Sequence, residues 1–111
     1  MPLLPNHSAA DLDVAKLRDY CLSSAHLRGR HKARVFAAAL GISAADAHWL
    51  RGAILVALGS HDAVKEDSDG FGERWRVDLL LTRQNRRAMV RTHWLIPADT
   101  GIPRLVTAWV L

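Results

Sequence analysis

Glu73-Arg74-Trp75-Arg76-Val77-Asp78-Leu79-Leu80-Leu81-Thr82 is the stretch that decides the fold. Trp75, Val77, Leu79 and Leu81 fall on one side of a period of two, and Arg74, Arg76 and Asp78 fall on the other. That is the pattern of a strand with one buried and one solvated face. Gln84-Asn85-Arg86 marks a hairpin, after which Arg87–Ile96 repeats the alternation. Ala88, Val90, Thr92, Trp94 and Ile96 share one side; Arg87, Met89, Arg91, His93 and Leu95 share the other. Working outward, Ala63–Asp67 reads as a short edge strand that turns at Ser68-Asp69-Gly70, where Gly70 is expected to supply a positive φ. Pro97–Pro103 is a further turn and Arg104–Leu111 a last strand. Neighbouring strands joined by short turns make an antiparallel meander.

Upstream of the strands the period changes to that of a helix. Ser43-Ala44-Ala45-Asp46 has the form of a capping box, and the helix it opens runs to about Leu58, with Ala47, Leu50, Ile54, Ala57 and Leu58 facing inward. Val35, Phe36, Ala39 and Leu40 form a second apolar stripe that ends at Gly41, a C-capping glycine. A first short helix is read over Asp11–Leu22, led by Asp11 and Asp13, with Val14, Leu17, Tyr20 and Cys21 as its apolar positions. The fold class expected is α+β, with about three N-terminal helices packed on one face of a four-stranded antiparallel meander sheet. One domain over 1–111 accommodates it: a lead-in at 1–10, a helical part at 11–60 and a β-sheet part at 61–111.

Half of the residues are hydrophobic and 23% are charged, so the chain is globular rather than disordered. Its 15 basic residues are 12 Arg and 3 Lys, a bias toward the planar fork that grips phosphate and carboxylate. No acidic residue stands between Asp19 and Asp46, or between Asp78 and Asp99, whereas six of the 11 acids lie from Asp62 to Asp78. A basic working surface beside an acidic sheet end is expected, although basic runs are commonly just solvated faces. The single cysteine, Cys21, excludes an internal disulfide framework. No apolar run is long enough to cross a membrane, and Met1–Ala10 lacks the pattern of a signal peptide, so the expected setting is cytoplasmic with no membrane partner.

The chemistry candidates begin with Arg28-Gly29-Arg30-His31-Lys32 at the start of the second helix. Cations at the positive end of the helix dipole cost roughly 0.3–1 kcal/mol each when exposed, and a bound phosphate is the simplest compensation. Lys32 also lies on the buried stripe, at i−4 from Phe36, so its ammonium must either snorkel out or occupy a partly enclosed pocket against the sheet. His31 beside Lys32, and His93 near Arg91, place imidazoles in cationic surroundings where a proton can move near neutral pH. The six histidines show no metal-binding spacing, so neither a metal nor another cofactor is expected. The four tryptophans are read first as core residues, with one available to stack a base.

Three groups of residues carry a resemblance: Lys16-Leu17-x-x-Tyr20-x-Leu22; Gly29-Arg30-His31-Lys32-Ala33-x-Val35-Phe36 with Leu40-Gly41-Ile42; and Val90-Arg91-Thr92-x-Trp94-Leu95-Ile96 with Pro103-Arg104-Leu105-Val106-Thr107-Ala108. In these the chain resembles a small uncharacterised bacterial and phage domain family. That family is in turn similar to the barnase–EndoU–colicin–RelE (BECR) superfamily of metal-independent RNases and toxins, with N-terminal helices before a four-stranded antiparallel sheet. The resemblance implies a metal-independent endoribonuclease of toxin type that cleaves by 2′-OH transesterification, with RNA as substrate and an acidic antitoxin or immunity protein as partner. His31, Lys32, Arg91 and Thr107, which the resemblance singles out, and His93, read from its cationic surroundings, are the catalytic candidates. Arg28, Arg30, Thr92, Trp94 and Arg104 are the substrate-binding candidates. The alternatives are a non-catalytic module that binds nucleic acid or an acidic partner, and a phage or mobile-element accessory domain.

Overall fold

In the computed structural model, which describes residues 2–25 and 29–111, four strands pair antiparallel in chain order. They are β1 (Ala63–Asp69), β2 (Gly72–Arg83), β3 (Arg86–Pro97) and β4 (Arg104–Val110). The β2–β3 ladder is unbroken from Gly72 opposite Pro97 to Arg83 opposite Arg86. A two-residue turn closes it, with Gln84 at φ 56, the left-handed conformation that matches the twist of a tight hairpin. The alternation carries through to burial: Trp75, Val77, Leu79 and Leu81 on β2 and Val90, Thr92, Trp94 and Ile96 on β3 are all buried.

Three helices accompany the sheet: α1 (Val14–Lys16), α2 (Arg30–Leu40) and α3 (Ala47–Ala57). Phe36 and Leu40 of α2 and Leu50 and Ile54 of α3 join Val77, Leu79, Trp94 and Leu105 in one apolar core. The expected caps are present. Ser43 and Asp46 form the capping box, with the Ser43 amide donating to Asp46 Oδ2 at 2.9 Å, and Gly41 ends α2 in the left-handed conformation at φ 67. Arg83 ties the far end of the hairpin to this region: it donates to the Gly41 carbonyl, pairs with Asp46 at 3.2 Å and lies over the Trp49 ring.

The first helix differs from the sequence reading. Asp13, not Asp11, caps it, by accepting from the Ala15 amide at 2.9 Å. After one α-helical turn the chain widens into a π-helical segment over Leu17–Cys21, which buries both Leu17 and Cys21. Asp11 instead lies along the start of β4, where its amide donates to the Pro103 carbonyl and its carbonyl accepts from the Leu105 amide. That covers part of an otherwise open strand edge. The lead-in is also held, through buried Leu4 and a bond from the Ala63 amide to the Pro2 carbonyl.

The demanding glycine of the β1–β2 turn is Gly72 rather than Gly70. Gly72 has φ 154, and a Cβ there would collide with the Ile96 carbonyl, while Gly70 has open space around it. The Asp69 carboxylate accepts from the Phe71 and Gly72 amides and fixes the turn. Among the described residues no helix is long and apolar enough to cross a membrane.

Candidate functional site

The start of α2 runs beside the edge of the sheet, and this decides where Lys32 goes. Phe36, one turn later on the same helix face, is fully buried, so Lys32 is directed toward the protein rather than away from it. Its Nζ passes the edge of β4 and donates to Thr107 Oγ1 at 3.0 Å. The same ammonium lies 5.3 Å from the centre of the Tyr20 ring and 5.1 Å from that of Trp109, both within cation–π range. Tyr20 belongs to the π-helical segment. The partly enclosed pocket, rather than full snorkelling, is therefore the outcome for Lys32. Among the described residues no carboxylate lies within ion-pair distance of it.

β4 presents its half of the site through an irregularity. His93 pairs with Thr107 and Trp94 with Leu105, so Val106 is an extra residue, a β-bulge. Leu105 and Ala108 thus both face the core, while Thr107 and Trp109 stand with Arg91 and His93 on the outer face. The His93 and Trp109 rings approach to 4.9 Å between centroids at 44°. On the helix side, His31, Lys32, Val35, Trp109 and Val110 line a pocket of about 260 Å³. Trp109 is the common wall: one imidazole packs on it from β3 and the other borders the same pocket from α2.

Residues 3–111, nearly all of the chain and every residue of this cluster, match the model of the family described as a domain of unknown function, DUF6883. The chain belongs to that family. No curated protein and no solved structure gives a significant match. The DUF6883 description carries no reaction, so the role of the cluster has to be argued from its own geometry.

Around Trp109 the DUF6883 chain gathers five of the residues singled out by sequence: His31 and Lys32 line the pocket from α2, and Arg91, His93 and Thr107 share the outer face of the sheet beside it. It separates the others. Thr92 and Trp94 are 0% and 1% exposed on the core side, which corrects their proposed contact with substrate. Thr92 Oγ1 donates to the Val77 carbonyl at 2.7 Å and accepts from Trp94 Nε1 at 2.8 Å, so both side chains have their polar atoms satisfied internally. Arg30 lines a different groove, with Leu22, Ser23, Arg34 and Ala45. Arg104 is exposed at the start of β4 opposite Leu95, on the outer side of the sheet, and shares its grooves with Asp11. Arg28 lies outside the described residues.

The electrostatics of the outer face also differ from a plain basic surface. Arg91 forms a two-pronged pair with Asp78, at 2.8 Å from Nε and 3.0 Å from Nη2. Those hydrogen bonds above all hold the Asp78 carboxyl below the usual carboxylate range; the positive charges of Arg91 and Arg76 add to the effect, and partial burial opposes it. Glu66 stands 3.7 Å from Arg76 Nη1 and 3.8 Å from His93 Nδ1. Behind the site, burial pushes the Cys21 thiol up, against opposing effects of the Ala108 backbone, the Lys32 charge and the Thr107 hydroxyl.

Sequence reasoning missed Trp109, Tyr20, Glu66 and Asp78 as parts of this arrangement. Asp78 carried a signal, since it stands on the polar side of β2 opposite Arg91 once the hairpin register is set by its two-residue turn. Trp109 carried none, because a period of two from Leu105 puts it on the core side unless the bulge at Val106 is known.

Proposed function

We propose that the cluster around Lys32 is the active site of a metal-independent endoribonuclease of toxin type. In the reaction the ribose 2′-oxygen forms a bond to the adjacent phosphorus and the bond from phosphorus to the 5′-oxygen breaks. One group takes the 2′-hydroxyl proton and another delivers a proton to the departing 5′-oxygen, leaving a 2′,3′-cyclic phosphate and a 5′-hydroxyl. His31, which shares a pocket with Trp109, and His93, which packs on its ring, are the two proton-transfer groups, in either order. Lys32 keeps two N–H donors beyond the one given to Thr107 and meets the negative charge that develops on the phosphorane. Arg91 adds its Nη1, the nitrogen outside the Asp78 fork. Arg104 and Arg30 lie farther along the surface as contacts for the flanking chain.

The observation that carries this reading is the ammonium of Lys32, held by two aromatic rings and a hydroxyl in a pocket that His31 also lines, with His93 packed on the same Trp109 and no carboxylate partner among the described residues. A positive charge placed so has its geometry fixed and its charge unspent. The order of the chain, helices first and a four-stranded antiparallel sheet after them, fits the resemblance to the BECR superfamily. A cytoplasmic setting and an acidic neutralising protein belong to the same reading. The second reading, a module that binds nucleic acid or an acidic partner without cleaving, draws on the pairing of Arg91 with Asp78 and of Arg76 with Glu66, which mutes two outer-face arginines.

The test is incubation of the purified protein with single-stranded RNA in EDTA. The ribonuclease reading expects fragments that end in 2′,3′-cyclic phosphate. Intact RNA that is nonetheless bound, with an affinity falling steeply as salt rises, supports the binding module instead. Intact and unbound RNA removes the ribonuclease and the nucleic-acid-binding module and leaves a module for an acidic partner or the accessory domain.

A further inference from the structure

His93 is flanked by irregularities on both sides of the sheet. On β4 the extra residue is Val106, next to the His93–Thr107 pair. On β1, Lys65 pairs with Trp75 and Asp67 with Arg74, which leaves Glu66 as the extra residue of a second bulge. A bulge breaks the alternation of side chains and re-aims one of them. Glu66 keeps the outer face that it shares with Val64, and the bulge shifts the residues after it: its carboxylate lies across β2 with Oε2 3.7 Å from Arg76 Nη1 and Oε1 3.8 Å from His93 Nδ1. Arg76 and His93 are themselves direct partners in the β2–β3 ladder. One carboxylate thus faces two neighbouring groups, one oxygen to each.

We propose that Glu66 is a positioning residue for His93, holding Nδ1 as the protonated nitrogen of the neutral ring and reserving Nε2 for proton exchange with substrate. The inference rests on the ribonuclease reading of the site. Its chemical basis is general: a carboxylate beside one imidazole nitrogen selects the tautomer with hydrogen on that nitrogen and fixes the plane of the ring. Trp109 limits the ring from the other direction, at 4.9 Å. The remaining charged groups around His93 are Arg76 and Asp78 on β2, Arg91 on its own strand and, beyond Trp109, Lys32 from α2. None of these sits at Nδ1 as Glu66 does. Among the described residues neither ring nitrogen of His93 makes a hydrogen bond, and Nδ1 is the one with a carboxylate within ion-pair distance, at 3.8 Å.

Nitrogen-15 NMR of the ring at alkaline pH, assigned with His93→Asn, reads the tautomer directly and without any activity. The native protein is expected to show His93 mainly as the Nδ1–H form. Glu66→Ala should shift it toward the Nε2–H form, and Glu66→Gln, which keeps an acceptor oxygen, should restore part of the native ratio. Thermal stability should be unchanged in both variants because Glu66 is exposed at a strand edge. Against RNA, Glu66→Ala should lower kcat roughly 10- to 100-fold with KM little changed, the size expected of a misdirected catalytic group. An Nε2–H ring in the native protein, a ratio indifferent to Glu66→Ala, or undiminished cleavage by that variant overturns the inference. A tautomer that responds in a protein that cleaves no RNA sinks the ribonuclease reading alone and leaves the orientation of His93 by Glu66 standing.

Discussion

Two pairs of residues interleave on β3, and they lead opposite lives. Thr92 and Trp94 face the core, enclosed and bonded to each other and to the Val77 carbonyl. Arg91 and His93 face outward, where each meets a carboxylate and both border Trp109. A single strand therefore separates stability from candidate chemistry by parity alone. The inner pair is a closed polar link inside an apolar layer, with no capacity left for a ligand. The outer pair sits in partial solvent with donors to spare. Substitutions on the two sides should accordingly fail in different ways.

The largest separation is expected between two tryptophans. Trp94→Ala empties a site in the middle of the core and should cost about 3–5 kcal/mol, a large share of the stability of a small domain. Trp109→Ala removes a partly exposed ring and should cost far less, while disturbing Lys32 and His93 together. Urea unfolding of both variants measures the contrast, and equal losses would erase it. A smaller effect isolates the polar link: Thr92→Val keeps the shape but leaves Trp94 Nε1 without its acceptor, for about 1–3 kcal/mol.

Smaller again is the contribution of the outer ion pair, which pH should reveal. The Asp78 carboxyl is held below its ordinary value in the folded chain, mainly by the Arg91 hydrogen bonds. It therefore adds stability that is present above the unfolded-state pKa and is lost as pH falls through the lower, folded one. The stability difference between the native protein and Asp78→Asn should be largest near neutrality and shrink on acidification below about pH 4. A difference that grows toward acid would mean that the pair does not depress the carboxyl at all.

Much of this division was legible in the sequence, and the reasons it was not fully so are specific. The alternation in β2 and β3 already grouped Thr92 and Trp94 with Val90 and Ile96; the resemblance, and for Trp94 the capacity of an indole to stack on a base, drew them toward substrate, and there the periodicity was the better guide. The i−4 spacing from Phe36 anticipated the enclosure of Lys32, since helix geometry is regular enough to extrapolate. Bulges are not regular. Val106 reverses the parity of Trp109, and the extra residue Glu66 does the same to the end of β1, because one added residue shifts everything that follows by half a period. The π-helical segment that delivers Tyr20 is likewise a departure from period 3.6 that no apolar spacing announces. Apart from Asp78, which stands in the regular β2–β3 ladder, what escaped the sequence reading lies at local defects in regular elements, and those defects surround the candidate site.

Lys32→Met tests the central claim most directly, because it keeps the apolar stem between Tyr20 and Trp109 and removes only the charge and the bond to Thr107. Unfolding midpoint and RNA cleavage in EDTA should be measured on the same preparation. The account predicts a variant as stable as the native protein or slightly more so, with cleavage or RNA binding lost. Full activity in a folded Lys32→Met protein would contradict it and make the helix from Arg30 to Leu40 an ordinary piece of the scaffold.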